Sequence, residues 1–554
     1  MKPFSKITIG QMLDKTVENN PDNDALVCIE FGLRYTYREF REECARLAKG
    51  LMALGINKEE HIAIWATNVP QWVITQFGSA RMGAVLVTVN TNYKLFELEY
   101  LLKQSDSTTL LLIRGTKDAD YIDMINQLCP ELKDCQPGRL NSKRLPRLKN
   151  VIFLGDERYP GMYTWGDVLA AGGDVTDRQL AEREASIEPD DVVNMQYTSG
   201  TTGFPKGVML THTNLVGNAT SIAECLNFRP GDRLCIPVPL FHCFGCVLGT
   251  LTCAVSGAAM ALLEAFNPTR VLETIEAERC TAVHGVPTMF ITELEVLNKH
   301  QYDVSTLRTG IMAGSPCPIE VMKQVVDRMG MKEIVITYGQ TEAAPGITMT
   351  RTSDSIERRV STVGKALPGV EVKVVDPVTG EEVPLGVQGE ICARGYNVMK
   401  GYYKMPESSN AAIDREGWLH TGDLGIMDKE GYFRITGRIK DMIIRGGENI
   451  YPREVEEFLY THPKIKDVQV VGVPSEKYGE EVMAFICLNQ GEEATVEEIR
   501  EFCTNKIARY KIPRFITFVN GYPTTASGKV QKYKLREQAI DDLGLQKAAV
   551  VETA

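Results

Sequence analysis

The chain has 554 residues, 44% hydrophobic and 24% charged, with a formal net charge of −11. That length exceeds one ordinary core and implies two to four folding units of a soluble globular protein. The acidic balance argues against a general nucleic-acid binder. The basic residues Lys133, Arg139, Lys143, Arg144, Arg147 and Lys149 lie in a Pro/Gly-broken stretch and read as a solvated connector. The start, Met1-Lys2-Pro3-Phe4-Ser5-Lys6, shows neither a signal-peptide core nor an Arg-rich leader. With fourteen cysteines that predicts reduced thiols and a cytoplasmic location.

In chain order, helical periodicity over Arg38–Leu54 precedes a strand at His61–Trp65. A strand over Val192–Tyr197 leads into a glycine-rich loop, followed by a helix beginning near Thr211–Asn214. Ile236–Leu263 carries no Asp, Glu, Lys or Arg and is long enough to span a bilayer. Pro237, Pro239, His242, Gly245, Gly249, Ser256 and Gly257 interrupt it. It reads instead as a loop, a buried helix near Phe244–Val255, a turn and a buried strand near Ala258–Leu263. Cys243 and Cys246 form a C-x-x-C, but Cys235 and Cys253 complete no common zinc spacing. They read as small buried hydrophobes.

Helix Pro268–Glu278, strand Thr281–Gly285, strand Leu307–Ala313, helix Pro318–Met329 and strand Glu333–Tyr338 continue the alternation. Such β-α-β units imply parallel sheets with helices on both faces. After about Val360 the pattern changes. Val370, Val372 and Val374 alternate with charges, and Gly389–Arg394 is a further strand, predicting a small antiparallel β subdomain. Beyond Asp441 come helix Pro452–Tyr460, strands Asp467–Val473 and Glu481–Leu488, and helix Thr495–Ile507, a compact α+β unit. The expected class is α/β with a small α+β C-terminal domain.

The most informative run is Tyr197-Thr198-Ser199-Gly200-Thr201-Thr202-Gly203-Phe204-Pro205-Lys206-Gly207. Glycines let backbone N–H groups approach an anion, while hydroxyls and a lysine add donors and charge. The run suggests a grip on a nucleotide triphosphate. It is not a Walker A loop, since Gly207 follows Lys206 where Ser or Thr is needed. It resembles the phosphate loop of the adenylate-forming superfamily, which contains acyl-CoA synthetases, luciferases and peptide-synthetase adenylation domains.

Further segments match that superfamily in order. They are Pro239–Gly245, Ala313–Pro318, Thr337–Glu342, Gly417–Asp423, Gly437–Ile450 and Pro523–Lys529. The resemblance implies ATP or AMP contacts from Thr198, Ser199, Gly200, Thr201, Thr202, Gly203, Lys206, Gly314, Ser315, Tyr338, Gly339, Gln340, Thr341, Asp423 and Arg438. It implies Glu342 and Thr198 for Mg²⁺, and His242 beside the carboxylate substrate. Phe244, Ala313, Thr337 and Gly339 would border the acyl pocket, and Gly446 and Gly447 the CoA tunnel. Lys440 takes the hinge position and Lys529 that of the adenylating lysine. The implied division is an adenylation domain over 1–437, a hinge over 438–440 and a mobile C-terminal domain over 441–554.

Among superfamily members the chain looks most like medium-chain fatty acyl-CoA synthetases, through Arg445–Pro452. ATP, Mg²⁺ and CoA are the implied cofactor and cosubstrates. The alternatives are an aryl or alicyclic acid–CoA ligase, or an acyl-AMP ligase loading a carrier protein. No transmembrane segment or nucleic-acid partner is expected, and a homodimer is allowed.

Overall fold

The computed structural model describes residues 6–117, 119–198, 205–314, 317, 319–445, 448–475, 477–504, 506–525 and 529–546. Contacts divide the chain into two compact units. One comprises Met1–Val372 with Ala393–Leu419, the other Lys373–Cys392 with His420–Ala554.

The first unit is built on two large sheets. In one, the parallel strands Val85–Thr88, His61–Trp65, Thr109–Leu112 and Asn150–Phe153 are neighbours in that order. Val192–Thr198 joins them in parallel through Val85–Thr88. In the other, Glu333–Val335, Thr309–Ile311, Ala282–Val283, Arg233–Ile236, Ala259–Leu262 and Asp24–Cys28 are parallel, and Leu33–Thr36 closes the edge antiparallel.

Strand alternation sorts the core. Ile62 and Ile64 face one cluster, shared with Leu234 and Ile236 of the other sheet. Ala63 and Trp65 face another, under helices Leu95–Gln104 and Tyr121–Leu128. Cys235 and Val283 face a third, under helices Pro268–Glu278, Pro287–Leu297 and Ile319–Met329. Both faces of each sheet are therefore covered, as parallel sheets require. The helix expected over Arg38–Leu54 is Tyr37–Ala53. It starts at a capping box in which Thr36 and Glu39 satisfy each other's backbone N–H.

The long apolar stretch resolves into helical turns and the strand Ala259–Leu262. Its middle, Cys246–Leu251, is a π-helix. Among the described residues no helix is long and apolar enough to cross a membrane. Cys243 and Cys246 are buried and free; burial pushes the Cys243 thiol up to about 12 and Cys246 well above its ordinary value.

Two local expectations are corrected. The single strand expected over Glu333–Tyr338 is two. Glu333–Val335 pairs in the parallel sheet, whereas Thr337–Gly339 pairs antiparallel with Gly346–Met349. Between them, Ile336 exchanges backbone and hydroxyl hydrogen bonds with Thr350, which hands the chain from one ladder to the other. The helix expected to begin near Thr211–Asn214 does begin there, at His212, but a strand that was not expected stands before it. Lys206–Thr211 is a strand, antiparallel to Val192–Thr198, and helix His212–Cys225 follows it. Its Val208 and Leu210 alternate into the core, a strand period rather than a helical one.

Val370–Val375, Gly389–Gly395, Leu419–Met427 and Phe433–Arg438 form a four-stranded sheet. The second unit begins partway along its strands. That unit also holds the strands Ile465–Ser475 and Gly479–Leu488, antiparallel, with Phe515–Phe518 added in parallel. Helices Pro452–Leu459 and Val496–Cys503 pack against them.

Candidate active site

In the first unit the site grows from the hairpin. Thr198 and Lys206 are paired across it, as are Tyr197 and Gly207. Directly opposed residues of an antiparallel pair project from the same face, so Thr198 and Lys206 share one. A Cβ on Gly207 would lie 2.9 Å from Met195 Sδ and 3.2 Å from Tyr197 Cζ, so a larger residue there would displace the Met195 side chain. Ser199, Gly200, Thr201, Thr202 and Gly203 lie outside the described residues.

The Thr198 hydroxyl donates to Glu342 Oε1 at 3.4 Å. Tyr402 donates its phenol to the same oxygen at 2.9 Å, and Lys206 Nζ stands 4.8 Å from the centre of the Tyr402 ring. Tyr402 is placed by Gly401–Tyr402, a short strand antiparallel to Lys206–Thr211. Burial, with Glu342 beside it, pushes the Tyr402 phenol far above its ordinary value, so it remains a donor. Tyr402 was not among the expected site residues. Its signal is only a Gly-Tyr-Tyr run, and its importance depends on which strand it pairs with.

Glu342 sits in the 3₁₀ turn Thr341–Ala343, after strand Thr337–Gly339. The approach is close: a Cβ on Gly339 would lie 1.8 Å from the carbonyl oxygen of Pro345. Thr341 is buried, with its hydroxyl 3.9 Å from Cys243 Sγ. Tyr338 is half-buried and Gln340 exposes part of its surface on the same turn.

His242 caps the helical turn Cys243–Gly245, its Nδ1 accepting the Phe244 N–H at 3.1 Å. In the neutral ring the proton then sits on Nε2, leaving that nitrogen as a donor. Phe244 is buried and stacks on His284 with ring centres 5.9 Å apart. His284 was also unexpected. It links Leu248 of the π-helix, through Nε2 at 3.1 Å, to the Ile311 N–H, which donates to Nδ1 at 3.1 Å. Burial lowers it to about 4, so the ring is neutral. Ala313 is buried just beyond Ile311, and Thr337 donates its hydroxyl to Thr348 O at 3.0 Å. Gly314 adopts φ +92°, a left-handed conformation suited to glycine. Ser315 lies outside the described residues.

In the second unit, Asp423 and Arg438 are cross-strand partners, with Arg438 Nε donating to Asp423 Oδ1 at 2.7 Å. The turn before Asp423 is fastened by Glu390. One oxygen of Glu390 accepts the Gly422 N–H at 2.9 Å, and the other lies 2.8 Å from His420 Nδ1. Cys392 Sγ is 3.5 Å from the same His420 nitrogen. Thr421 accepts the Asp423 N–H at 3.1 Å.

Lys440 occupies the 3₁₀ turn Ile439–Asp441. Gly446 and Gly447 lie outside the described residues. Lys529 is exposed, next to the Thr524–Val530 bridge. Its carbonyl accepts the Thr525 N–H at 2.7 Å. Three residues on, Lys532 reaches the buried Glu456 of helix Pro452–Leu459 at 2.6 Å.

The AMP-binding enzyme family matches residues 13–403, and its C-terminal domain matches 454–529. The chain is 57% identical over 538 residues to a Bacillus subtilis (strain 168) protein with the provisional name acyl-CoA synthetase YngI, covering 97% of this chain and 98% of that one. It is 45% identical over 546 residues to the mitochondrial medium-chain acyl-CoA ligase ACSF2 of Danio rerio, covering 98% and 90%. Among solved structures, the anthranilate CoA ligase AuaEII with anthranoyl-AMP aligns with a TM-score of 0.85 at 27% identity, covering 97% and 98%. The chain belongs to the AMP-binding enzyme family and is an adenylate-forming acid–CoA ligase of the acyl-CoA synthetase type.

Proposed function

We propose that the protein activates a medium-chain fatty acid with ATP and passes the acyl group to CoA. The observation that carries the reading is the convergence of Thr198, Lys206 and Glu342 around Tyr402. It supplies a hydroxyl, an ammonium and a carboxylate where a triphosphate needs donors and a counter-ion site. Glu342 and Thr198 are hard oxygen ligands 3.4 Å apart; they fit Mg²⁺, which when bound neutralises phosphate charge. ATP is held by Thr198 to Gly203 and Lys206 at the phosphates, Gly314, Ser315, Tyr338, Gly339, Gln340 and Thr341 at adenine and the α-phosphate, and Asp423 and Arg438 at the ribose.

In the first half-reaction a carboxylate oxygen attacks the α-phosphorus in line. The bond to the bridging oxygen breaks, leaving acyl-AMP and pyrophosphate. His242 orients the carboxylate through its Nε2 proton. Lys529 stabilises charge on the five-coordinate transition state. In the second, the C-terminal domain (441–554) turns about the hinge 438–440, at Lys440, against the adenylation domain (1–437). Lys529 withdraws and the Gly446-Gly447 turn lines the thiol's path. The CoA sulfur attacks the acyl carbon, AMP leaves with the C–O electron pair, and the thiol proton passes to solvent.

The acyl pocket is assigned to Phe244, Ala313, Thr337 and Gly339, small or apolar groups without a charge to pair with a charged side group. The name of the ACSF2 relative favours a medium chain. A ring acid is the second reading, favoured by the likeness to an anthranilate ligase. Pyrophosphate release and thioester mass should be measured with ATP, Mg²⁺ and CoA over acetate, C4–C16 acids, benzoate and cyclohexanecarboxylate. A maximum among C6–C12 acids is expected. Turnover confined to ring acids replaces the substrate, and pyrophosphate without acyl-CoA replaces the acceptor.

A further inference from the structure

The two arms of the phosphate hairpin are held from outside by one helix that no sequence motif marks. Helix Leu95–Gln104 carries Tyr100 and Gln104 one turn apart, on one face. The Tyr100 hydroxyl donates to Pro205 O at 3.1 Å. Gln104 Oε1 accepts the Tyr197 hydroxyl, and Gln104 Nε2 donates to Tyr403 O at 2.8 Å. The Tyr403 N–H in turn donates to Gly207 O at 2.8 Å. Each arm is thus fastened beside the residue that carries chemistry: Tyr197 next to Thr198, and Pro205 and Gly207 on either side of Lys206.

Strand alternation makes the division of labour possible. Tyr197 and Thr198 are consecutive in a strand and point to opposite faces. One reaches the helix while the other reaches Glu342. Burial drives the Tyr197 phenol far above its ordinary value, so it keeps the proton it donates.

We propose that Tyr100 and Gln104 are positioning residues for triphosphate binding: they set where Thr198 and Lys206 stand, and so govern ATP capture and pyrophosphate formation without touching the nucleotide. This rests on the assignment of Thr198 and Lys206 to the phosphates. Its signature is selectivity. Once pyrophosphate has left, the hairpin has no β- or γ-phosphate to hold, so AMP binding and the thioester step are independent of the fastening.

The test compares the full-length protein with Tyr100→Phe, Gln104→Glu and Gln104→Leu. Calorimetry gives the Kd of α,β-methylene-ATP and of AMP, each with Mg²⁺. Kinetics give KM for ATP and the rate of thioester formation from synthetic acyl-AMP and CoA. A lost hydrogen bond is expected to weaken the analogue and raise KM for ATP by about 3- to 10-fold, with AMP binding and the acyl-AMP reaction within about 2-fold of wild type. Gln104→Glu keeps the acceptor for Tyr197 and should recover part of the loss seen in Gln104→Leu. Equal weakening of AMP and the analogue, or no weakening of either, overturns the proposal. Should Gln104→Leu fail to fold, Tyr100→Phe removes one oxygen only and carries the test. A wild-type protein that releases no pyrophosphate with any acid refutes the proposed function instead, while analogue binding still decides the positioning.

Discussion

Glu293 offers a stability test whose size follows from the structure. It lies fully buried on helix Pro287–Leu297, which also carries Phe290 and Leu294 of the core under the second sheet. Neither carboxylate oxygen has a hydrogen-bond partner among the described residues. Burial pushes it from an ordinary 4.5 to about 8. The folded protein therefore holds a proton that the unfolded chain releases. Stability from this group is intact below pH 4.5, declines as pH rises, and is lost above about 8.

The slope is about 1.4 kcal/mol per pH unit, on the order of 5 kcal/mol over the whole interval. Glu293→Gln keeps the shape and removes the titration. It should match wild type at pH 5 within about 1 kcal/mol. At pH 9 it should be more stable, by roughly 5 °C in the melting of a unit on the order of 400 residues. Thermal unfolding of both proteins from pH 5 to pH 9 makes the comparison. A difference that stays constant with pH refutes a buried, unpaired Glu293.

Lys529→Ala should lower pyrophosphate release by about 100-fold or more while leaving CoA capture from synthetic acyl-AMP intact. Equal losses in both half-reactions would remove Lys529 from its assigned step. Tyr402→Phe deletes the donor to Glu342 and should raise KM for ATP about 5-fold. Titrating Mg²⁺ at fixed ATP should show a matching rise in the concentration needed for half-maximal rate. Gly339→Ala drives a methyl against the Pro345 carbonyl. It should lower the melting temperature and abolish turnover together, and a fully active Gly339→Ala protein would refute the close packing of that turn.

Most elements were legible because burial imposes a period. His61–Trp65 and Pro268–Glu278 match the expected spans residue for residue. Strands with covered faces and amphipathic helices leave clear marks in local sequence. The candidate site residues stand out in the sequence as motifs, by their glycine, hydroxyl and carboxylate types and spacing. Lys206–Thr211 was not read as a strand, since six residues with one pairing edge on each side look like the run-in to a helix until their partners are known. Glu333–Val335 and Thr337–Gly339 merged for the same reason: one continuous apolar run serves two sheets.

The sequence by itself determined the family, the α/β class and the inventory of groups able to handle a nucleotide and a carboxylate. Those are properties of residue type and spacing along the chain. Only the tertiary structure decided which groups meet. Tyr402 reaches Glu342 across sixty residues, and His284 joins a π-helix to a neighbouring strand. Tyr100 and Gln104 fasten a hairpin about a hundred residues away. The physical reason is that hydrogen bonds and ion pairs act over a few ångströms in space, while a strand's partner, and hence the neighbours of its side chains, is chosen by the packing of the whole sheet.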